Sequence, residues 1–177
     1  MTAQATRVPL QASTAPKTAA KVGGLAACVG LACATILTPL VQSFEGKRNV
    51  GYLDIVKVAT ACYGQTGAGV KVGQRYTDAQ CDAMLESALV AHAASVLVCT
   101  PTLKDHPTQL AAAVSLAYNI GTGAYCASTV DKRFDAGNWR GACDAMLMWN
   151  KAGGRVVAGL TNRRTAERAL CLKELPK

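Results

Sequence analysis

An uncharged segment near the amino terminus is the most prominent feature of the polarity pattern. Residues 22–41, VGGLAACVGLACATILTPLV, contain no charged side chain, and the next charge is that of Glu45. A helix of this length spans about 30 Å, which matches the apolar thickness of a bilayer. Glycine and alanine dilute its larger apolar residues, so we expect only marginal insertion. The pattern predicts a transmembrane helix that holds the chain weakly.

The polar residues that precede this segment predict its orientation. Residues 1–21 are rich in alanine and threonine, which is typical of an unstructured tail. Lys17 and Lys21 lie there without any acidic residue, so we expect the tail in the cytoplasm and the following domain outside. A permanent anchor, a signal peptide cleaved near residues 32–34 and a reversible anchor all fit this pattern.

The rest of the chain changes from short strands and turns to helices. Residues 60–77 are rich in glycine and tyrosine, which is typical of hairpins. Thr77 and Gln80 form a capping-box signature that predicts a helix to about Val98. A small β-hairpin lobe followed by a larger helical lobe predicts an α+β fold, with a cleft between the lobes.

Residues that are typical of helix ends predict the later helices. Pro107 and Gly121 bound an apolar helix, and a short helix is expected at residues 128–135. Asn138 and Thr161 are the predicted amino-terminal caps of two more. Trp139 and Trp149 lie at helical spacing, which favours packing in the core over stacking on a ligand.

Length and charge limit the possible partners. The 177 residues fit one domain plus an amino-terminal appendage. The net charge of +8 suits an anionic partner such as nucleic acid, anionic lipid or a bacterial wall polymer. Nucleic acid is disfavoured because the chain has no run of five basic residues and no basic stripe interleaved with aromatic residues.

The cysteines indicate an oxidising compartment. Eight are present without any CxxC pair, and the chain has only two histidines, so the ligand spacing of a zinc site is absent. An even set dispersed through the domain is typical of a disulfide framework. The six candidates for disulfides are Cys62, Cys81, Cys99, Cys126, Cys143 and Cys171.

The first two acidic residues form a candidate catalytic pair. Glu45 follows the uncharged segment, Asp54 comes nine residues later, and Thr60 follows after six more. Glycoside hydrolysis needs one carboxylic acid that protonates the leaving oxygen and one carboxylate that acts on water or on the sugar. A nearby threonine hydroxyl can hold the attacking water. Spacing alone does not separate this pair from two ordinary surface acids.

The residue identities around this pair resemble the active-site signature of the phage-type lysozymes. Glu45-Gly46, Tyr52-Leu53-Asp54, Thr60 and Tyr63-Gly64-Gln65-Thr66 follow one another at the spacing of that family. Shorter matches extend the resemblance, in the same order, over residues 44–172. The resemblance implies a lysozyme-like α+β fold and hydrolysis of the β-1,4 bond between N-acetylmuramic acid and N-acetylglucosamine in peptidoglycan.

The resemblance also assigns roles to individual residues. It makes Glu45 the general acid, Asp54 the residue that activates or orients water, and Thr60 the residue that positions this water. Gln65, Asn119 and Arg163 become candidate substrate-binding residues, and neither a metal nor another cofactor is implied. The chain departs from the family pattern at Lys57, Ala59, Cys62 and Gln65, where Gly, Trp, Gly and His are usual.

A muramidase behind a weak anchor resembles the signal-anchor-release endolysins of phages. That resemblance implies a cytoplasmic tail at residues 1–21, a releasable anchor at 22–41 and a catalytic domain at 42–177. The host secretion machinery would export the chain, and the host inner membrane would hold it inactive. Release into the periplasm would then start host lysis, and the enzyme is expected to act as a monomer without a nucleic acid partner.

Cys28 and Cys33 leave two hypotheses open. On one helix these cysteines point roughly 140° apart, so they are not expected to bond with each other. As regulatory thiols they would attack a disulfide of the domain after release. Cys62 would be the cysteine whose disulfide keeps the enzyme caged before this exchange. As small apolar residues they would leave three structural bridges, which are Cys62–Cys81, Cys99–Cys126 and Cys143–Cys171.

Two other functions compete with the muramidase hypothesis. A lytic transglycosylase uses one glutamate and leaves anhydro sugar ends, and the presence of Asp54 and Thr60 argues against it. A holin or a non-enzymatic wall-binding protein would also combine an anchor with a basic chain. A complete domain that carries all three candidate catalytic residues disfavours this second alternative.

Overall fold

The segment predicted to span a membrane forms two helices that pack on the domain. The structure, a computed structural model, describes residues 24–54, 57–67 and 69–176, so the predicted tail and the first two anchor residues lie outside the described part. Helix α1 is Gly24–Val29 and α2 is Leu31–Phe44. Gly30 separates them with a φ of 79°, a conformation that favours glycine.

One apolar face of α1 and α2 is buried. Its members recur every four residues, as expected for one side of a helix. They are Leu25, Val29, Cys33, Leu37 and Val41. Helix α1 packs against α3 and α2 packs against α4. In this arrangement, the face that the sequence assigns to lipid covers the protein core instead.

The predicted β-hairpin lobe is a three-stranded antiparallel sheet in the order β1-β2-β3. Its strands are β1 Arg48–Leu53, β2 Ala59–Cys62 and β3 Gln65–Thr66. Tyr52 lies opposite Thr60 in the register of β1 and β2. Gly51 exchanges backbone hydrogen bonds with Gly73 and Gln74. A Cβ atom at Gly51 would collide with the carbonyl oxygen of Lys71, so only glycine fits this contact.

The large lobe is built around two helices that the sequence predicts well. Helix α3 is Asp78–Cys99, and Thr77 and Gln80 form its capping box as expected. Helix α4 is Pro107–Ile120, with proline in its first turn and Gly121 at its end. By length and composition α3 is the one helix of the described residues that could cross a membrane. A helix at the centre of a folded domain has the same properties, and α3 packs against α1 and α4.

Shorter elements complete this lobe. They are the 3₁₀ turns Pro101–Leu103 and Met146–Met148, helices α5 Thr122–Cys126, α6 Thr129–Asp135, α7 Trp139–Ala145 and α8 Ala158–Cys171, and the hairpin of β4 Lys151–Ala152 with β5 Arg155–Val156. Asn138 caps α7 as predicted, because its side chain accepts the N–H of Gly141 at 2.9 Å. Trp139 packs against Phe134 and His106, which confirms its place in the core.

The prediction that Thr161 caps the last helix is wrong. Helix α8 begins at Ala158, so Thr161 lies within its first turn. The Thr161 hydroxyl donates to the carbonyl oxygen of Val157, four residues earlier, at 3.2 Å. Threonine can satisfy a backbone carbonyl inside a helix as well as cap one, and the sequence does not distinguish these roles.

Three disulfides are formed, of which one joins the two lobes and two lie within the large lobe. Cys62–Cys81 ties β2 to α3, Cys99–Cys126 ties α3 to α5, and Cys143–Cys171 ties α7 to α8. These are the pairings of the structural-bridge hypothesis. Of the two remaining cysteines, Cys33 is buried and Cys28 is half-buried.

Candidate active site

Glu45 lies at the carboxyl end of α2, where its position depends on the packing of that helix. Its N–H donates to the carbonyl oxygen of Val41 at 3.1 Å, which closes the last turn. Its φ of −94° and ψ of 117° then turn the chain into the extended conformation that leads to β1. The buried face of α2 therefore fixes the direction from which Glu45 enters the site.

Arg163 of α8 holds the Glu45 carboxylate. Nη1 of Arg163 donates to Oε1 of Glu45 at 2.6 Å. The Glu45 side chain is 22% exposed and that of Arg163 is 6% exposed, so this ion pair lies at the edge of the core. The guanidinium also stacks on the ring of Phe44, with its carbon 4.9 Å from the ring centroid.

The turn between β2 and β3 reaches the same carboxylate. A Cβ atom on Gly64 would lie 3.6 Å from Oε2 of Glu45, and Gly64 has a φ of 84°. The hairpin lobe therefore approaches Glu45 closely at a position where glycine is favoured. This contact brings the turn of the hairpin that carries Thr60 close to the candidate acid.

Asp54 follows β1 and is fixed by the turn that it closes. Its Oδ1 accepts the N–H of Val58 at 2.8 Å, and its own N–H donates to the Val58 carbonyl at 3.0 Å. It lines a groove of about 470 Å³ together with Gly46, Arg48, Tyr52 and Leu53. Of the two candidate carboxylates, Asp54 lines this groove, and Glu45 immediately precedes the lining residue Gly46.

Thr60 lies on β2 in the same hairpin. Its hydroxyl donates to the Val58 carbonyl at 3.1 Å, which is the oxygen that also accepts from Asp54. The residue is 4% exposed. A hydroxyl that donates to a carbonyl keeps acceptor lone pairs, which can bind a proton of a water molecule. Asp54 and Thr60 are thus positioned through one shared backbone group.

Gln65 is committed to contacts within the protein. Its side chain accepts the N–H of Tyr63 at 2.8 Å and donates to the Tyr118 hydroxyl at 2.7 Å. Tyr118 donates in turn to the Tyr63 carbonyl. Burial, together with the charge of Glu45, raises the pKa of Tyr118 to about 12, so its phenol stays protonated. Gln65 therefore joins the hairpin to α4, whereas Asn119 is exposed on α4.

Sequence reasoning missed a buried group behind Arg163. Nε of Arg163 contacts Oε1 of Glu167 at 3.1 Å, and Nη2 donates to the Ser115 carbonyl at 3.1 Å. Arg164 is also paired with Glu167. The signal in the sequence is the spacing of two arginines and a glutamate, because residues three and four apart share one face of a helix.

The two thiols differ in their surroundings. Cys33 is buried, whereas Cys28 is half-buried. Cys33 faces the core beside Leu37, and Cys62 is already bonded to Cys81. Within the described part of the chain, no group of three or more metal-binding side chains comes together.

The arrangement defines a class of enzyme. Glu45 comes from the end of α2, and the hairpin that contributes Asp54 and Thr60 approaches its carboxylate through the turn at Gly64. A pair of carboxyl groups is what glycoside hydrolysis of the lysozyme type requires.

Comparison with known proteins gives the family. A model described as Phage lysozyme matches residues 42–167. The chain is 38% identical over 157 residues to a SAR-endolysin of Enterobacteria phage P21, which covers 87% of this chain and 92% of that protein. It is 40% identical over 133 residues to a SAR-endolysin of Bacteriophage PS119, covering 74% and 78% of the two chains.

Solved structures agree with the sequence comparison. An endolysin from Escherichia coli O157:H7 phage FAHEc1 superposes with a TM-score of 0.70 at 31% identity, covering 78% of this chain and 92% of that one. The chain belongs to the phage lysozyme family. It has the predicted lysozyme-like fold, and the prediction of a muramidase endolysin is confirmed.

The burial of Cys33 predicts unequal thiol reactivity. The Cys33 side chain is 0% exposed, so a reagent can reach its thiol only when α2 opens from the core. Ellman's reagent should therefore react with the folded Cys28→Ser variant at least about a hundred-fold more slowly than with the folded Cys33→Ser variant. The control is the same pair in concentrated guanidinium chloride, where the rates should converge. Equal rates in the folded proteins would contradict the burial of Cys33.

Proposed function

We propose that this endolysin cleaves peptidoglycan with Glu45 as general acid, Asp54 as the carboxylate that acts on water, and Thr60 as the residue that positions this water. The observation that carries the assignment is the approach of the hairpin turn to the Glu45 carboxylate, which Arg163 holds from the other side. The three residues come from two elements that meet at one cleft.

The chemistry follows from these positions. Glu45, in its protonated form, donates a proton to the glycosidic oxygen as the bond to N-acetylmuramic acid breaks. Positive charge then develops on the sugar, and the Asp54 carboxylate stabilises it or deprotonates the attacking water. Thr60 accepts a hydrogen bond from this water while its own hydroxyl donates to the Val58 carbonyl.

Charge supports the choice of substrate. The chain carries a formal net charge of +8, and peptidoglycan presents carboxylates on its peptide stems. The remaining candidate binding residues divide by exposure. Asn119 is exposed and can reach a sugar chain, whereas Gln65 and Arg163 are buried and support the site from within.

We further propose that the described arrangement is the released state of the enzyme. Residues 22–41 anchor the newly made chain in the host inner membrane, with residues 1–21 in the cytoplasm, after export by the host secretion machinery. While α2 lies in lipid it cannot pack on α4, so Glu45 is not held against Arg163. Release lets α2 fold onto the domain, and the monomeric enzyme becomes active in the periplasm.

The names of the relatives support this proposal, since several phage proteins that resemble the chain are called SAR-endolysins. The structure also limits the thiol hypothesis. Cys33 is buried and Cys62 is already bonded to Cys81, so a regulatory exchange would have to precede the packing of α2. In the packed state, Cys33 serves as a core residue.

The catalytic assignment predicts the effect of replacing Glu45. Glu45→Gln keeps the shape and the contact with Arg163 but cannot donate a proton, so clearing of purified murein should fall at least about a thousand-fold. Thr60→Val should lose roughly ten- to a hundred-fold. Glu174→Gln, an exposed change near the carboxyl terminus, is the control and should clear murein normally.

Product masses complete this test. Hydrolysis leaves reducing sugar ends, whereas a lytic transglycosylase leaves anhydro ends that are lighter by one water molecule. Reducing ends are expected. Undiminished clearing by the folded Glu45→Gln variant would refute the assignment of Glu45 as the general acid. Anhydro ends would identify the enzyme as a transglycosylase and not as a hydrolase.

The released-state proposal predicts a change of compartment. Collapse of the membrane potential should move the full chain from the membrane fraction to the soluble periplasmic fraction. A variant with Ala32→Leu and Thr35→Leu should stay in the membrane, because both positions are exposed when α2 is packed and would add only lipid affinity. Immunoblots of the two fractions measure this. Wild-type protein that stays in the membrane after collapse would rule out release.

A further inference from the structure

A charged cluster lies in the core directly behind the pair of Glu45 and Arg163. Its members are Ser115 of α4 and Arg163, Arg164 and Glu167 of α8. Arg164, Glu167 and Ser115 are 0% exposed, and Arg163 is 5% exposed. Buried charges are costly to keep, and residues of similar volume without charge often replace them at no loss of stability. The cluster therefore suggests a role beyond holding the fold together.

Glu167 is surrounded by donors. Its Oε1 accepts from the Ser115 hydroxyl at 2.6 Å, from Nη2 of Arg164 at 2.9 Å and from Nε of Arg163 at 3.1 Å. Its Oε2 lies 2.7 Å from Nε of Arg164. Neither oxygen faces an acceptor among these partners, so the arrangement fits a carboxylate and not a protonated acid.

Burial and charge act on Glu167 in opposite directions. Burial raises its pKa, whereas Arg164, the Ser115 hydroxyl and Arg163 oppose this. Three hydrogen bonds to Oε1, together with the ion contact between Oε2 and Arg164, favour the ionised form that the geometry indicates. Glu167 therefore shares the charge of Arg163 with Glu45 on the other side of the guanidinium.

We propose that Glu167 and Arg164 are positioning residues for the reaction, which orient Arg163 and set the positive charge that Glu45 faces. Nε of Arg163 is occupied by Glu167 and Nη2 by the Ser115 carbonyl, so Nη1 is directed at Glu45. This inference rests on the proposed role of Glu45 as the general acid.

The charges of the cluster sum to one positive charge when Glu167 is ionised. Loss of the Glu167 charge would leave two positive charges behind Glu45, and loss of the Arg164 charge would leave none. From the other elements around Glu45, α4 contributes Tyr118, whose phenol stays protonated, and the hairpin contributes the Asp54 carboxylate. Neither of these groups is changed by a substitution in the cluster.

The two substitutions should shift the pH dependence in opposite directions. The general acid works only when protonated, so activity falls as pH rises past the point where Glu45 ionises. Glu167→Gln adds positive charge behind Glu45, which favours ionisation of Glu45. The alkaline limb of the pH profile, where activity falls, therefore moves to lower pH. Arg164→Met removes positive charge and moves it to higher pH. Each shift should be about one pH unit, as expected when one charge changes at a buried position close to a partly buried titrating group.

The test is the pH profile of murein clearing by purified, released full-length enzyme. All variants use the same murein, so titration of the substrate cancels. The double variant Glu167→Gln with Arg164→Met restores one positive charge and should return the limb to its wild-type position. Arg168→Gln removes a charge from the same helix at a partly exposed pair with Asp144, and it should leave the limb in place.

Each result decides for or against the inference. Opposite shifts with recovery in the double variant support it. A loss of rate without movement of the limb would make the cluster purely structural and overturn the inference. If Glu167→Gln alone fails to fold, Arg164→Met and the double variant carry the same test. A limb that stays fixed while activity still depends on Glu45 rejects only this inference, whereas activity independent of Glu45 rejects the proposed function itself.

Discussion

The packing of one helix face determines where the candidate acid lies. Cys33, Leu37 and Val41 point from α2 into the core, and Glu45 ends the same helix. Burial of each large apolar side chain contributes about 1.5–3 kcal/mol relative to water. In the proposed life cycle the alternative to the core is lipid, which is about as apolar as leucine. The apolar contribution to the choice between the two states is therefore small.

Smaller polar contacts then decide the balance between membrane and core. In the packed state Arg163 binds Glu45, Gln42 donates to the Tyr63 hydroxyl, and Glu86 accepts the N–H of Leu25. None of these contacts is available to α1 and α2 inside a bilayer. Small residues and threonines reduce the affinity of the segment for lipid. The low affinity of the anchor for lipid and the polar contacts that α1 and α2 make with the domain therefore both favour the packed state.

The hairpin side of the site is fixed independently. Asp54 and Thr60 both bind the carbonyl of Val58, and the disulfide between Cys62 and Cys81 fastens the next residues of β2 to α3. Disulfides limit the freedom of the unfolded chain and so favour the folded hairpin. Two of the three proposed catalytic residues lie on this hairpin and can be placed before α2 arrives, which suits an enzyme that waits for release.

Much of this structure is encoded in local signals. The capping box at Thr77, the first-turn Pro107 and the terminal Gly121 correctly predict the two central helices, because these residues act on neighbouring backbone groups. The spacing of Glu45, Asp54 and Thr60 gained meaning from the family resemblance. How the three lie relative to one another depends on the fold.

Other features depend on partners that are distant in sequence. The uncharged segment has the same pattern whether it faces lipid or protein, so the sequence places the end of the anchor at residue 41. In the packed state, that position lies within α2, Leu31–Phe44. The sequence does not reveal the role of Glu167, because this role requires Ser115 and Arg163 to meet in space.

The most direct test of this account is the activity of a chain that begins at Ser43, compared with the released full-length enzyme on the same murein. Such a chain keeps every proposed catalytic residue but lacks the helix face that positions Glu45. Misplacement of a catalytic group by about 1 Å can cost a hundred-fold in rate, so we expect at least about this loss. Clearing at the full-length rate would show that α2 does not position the acid and would contradict the account.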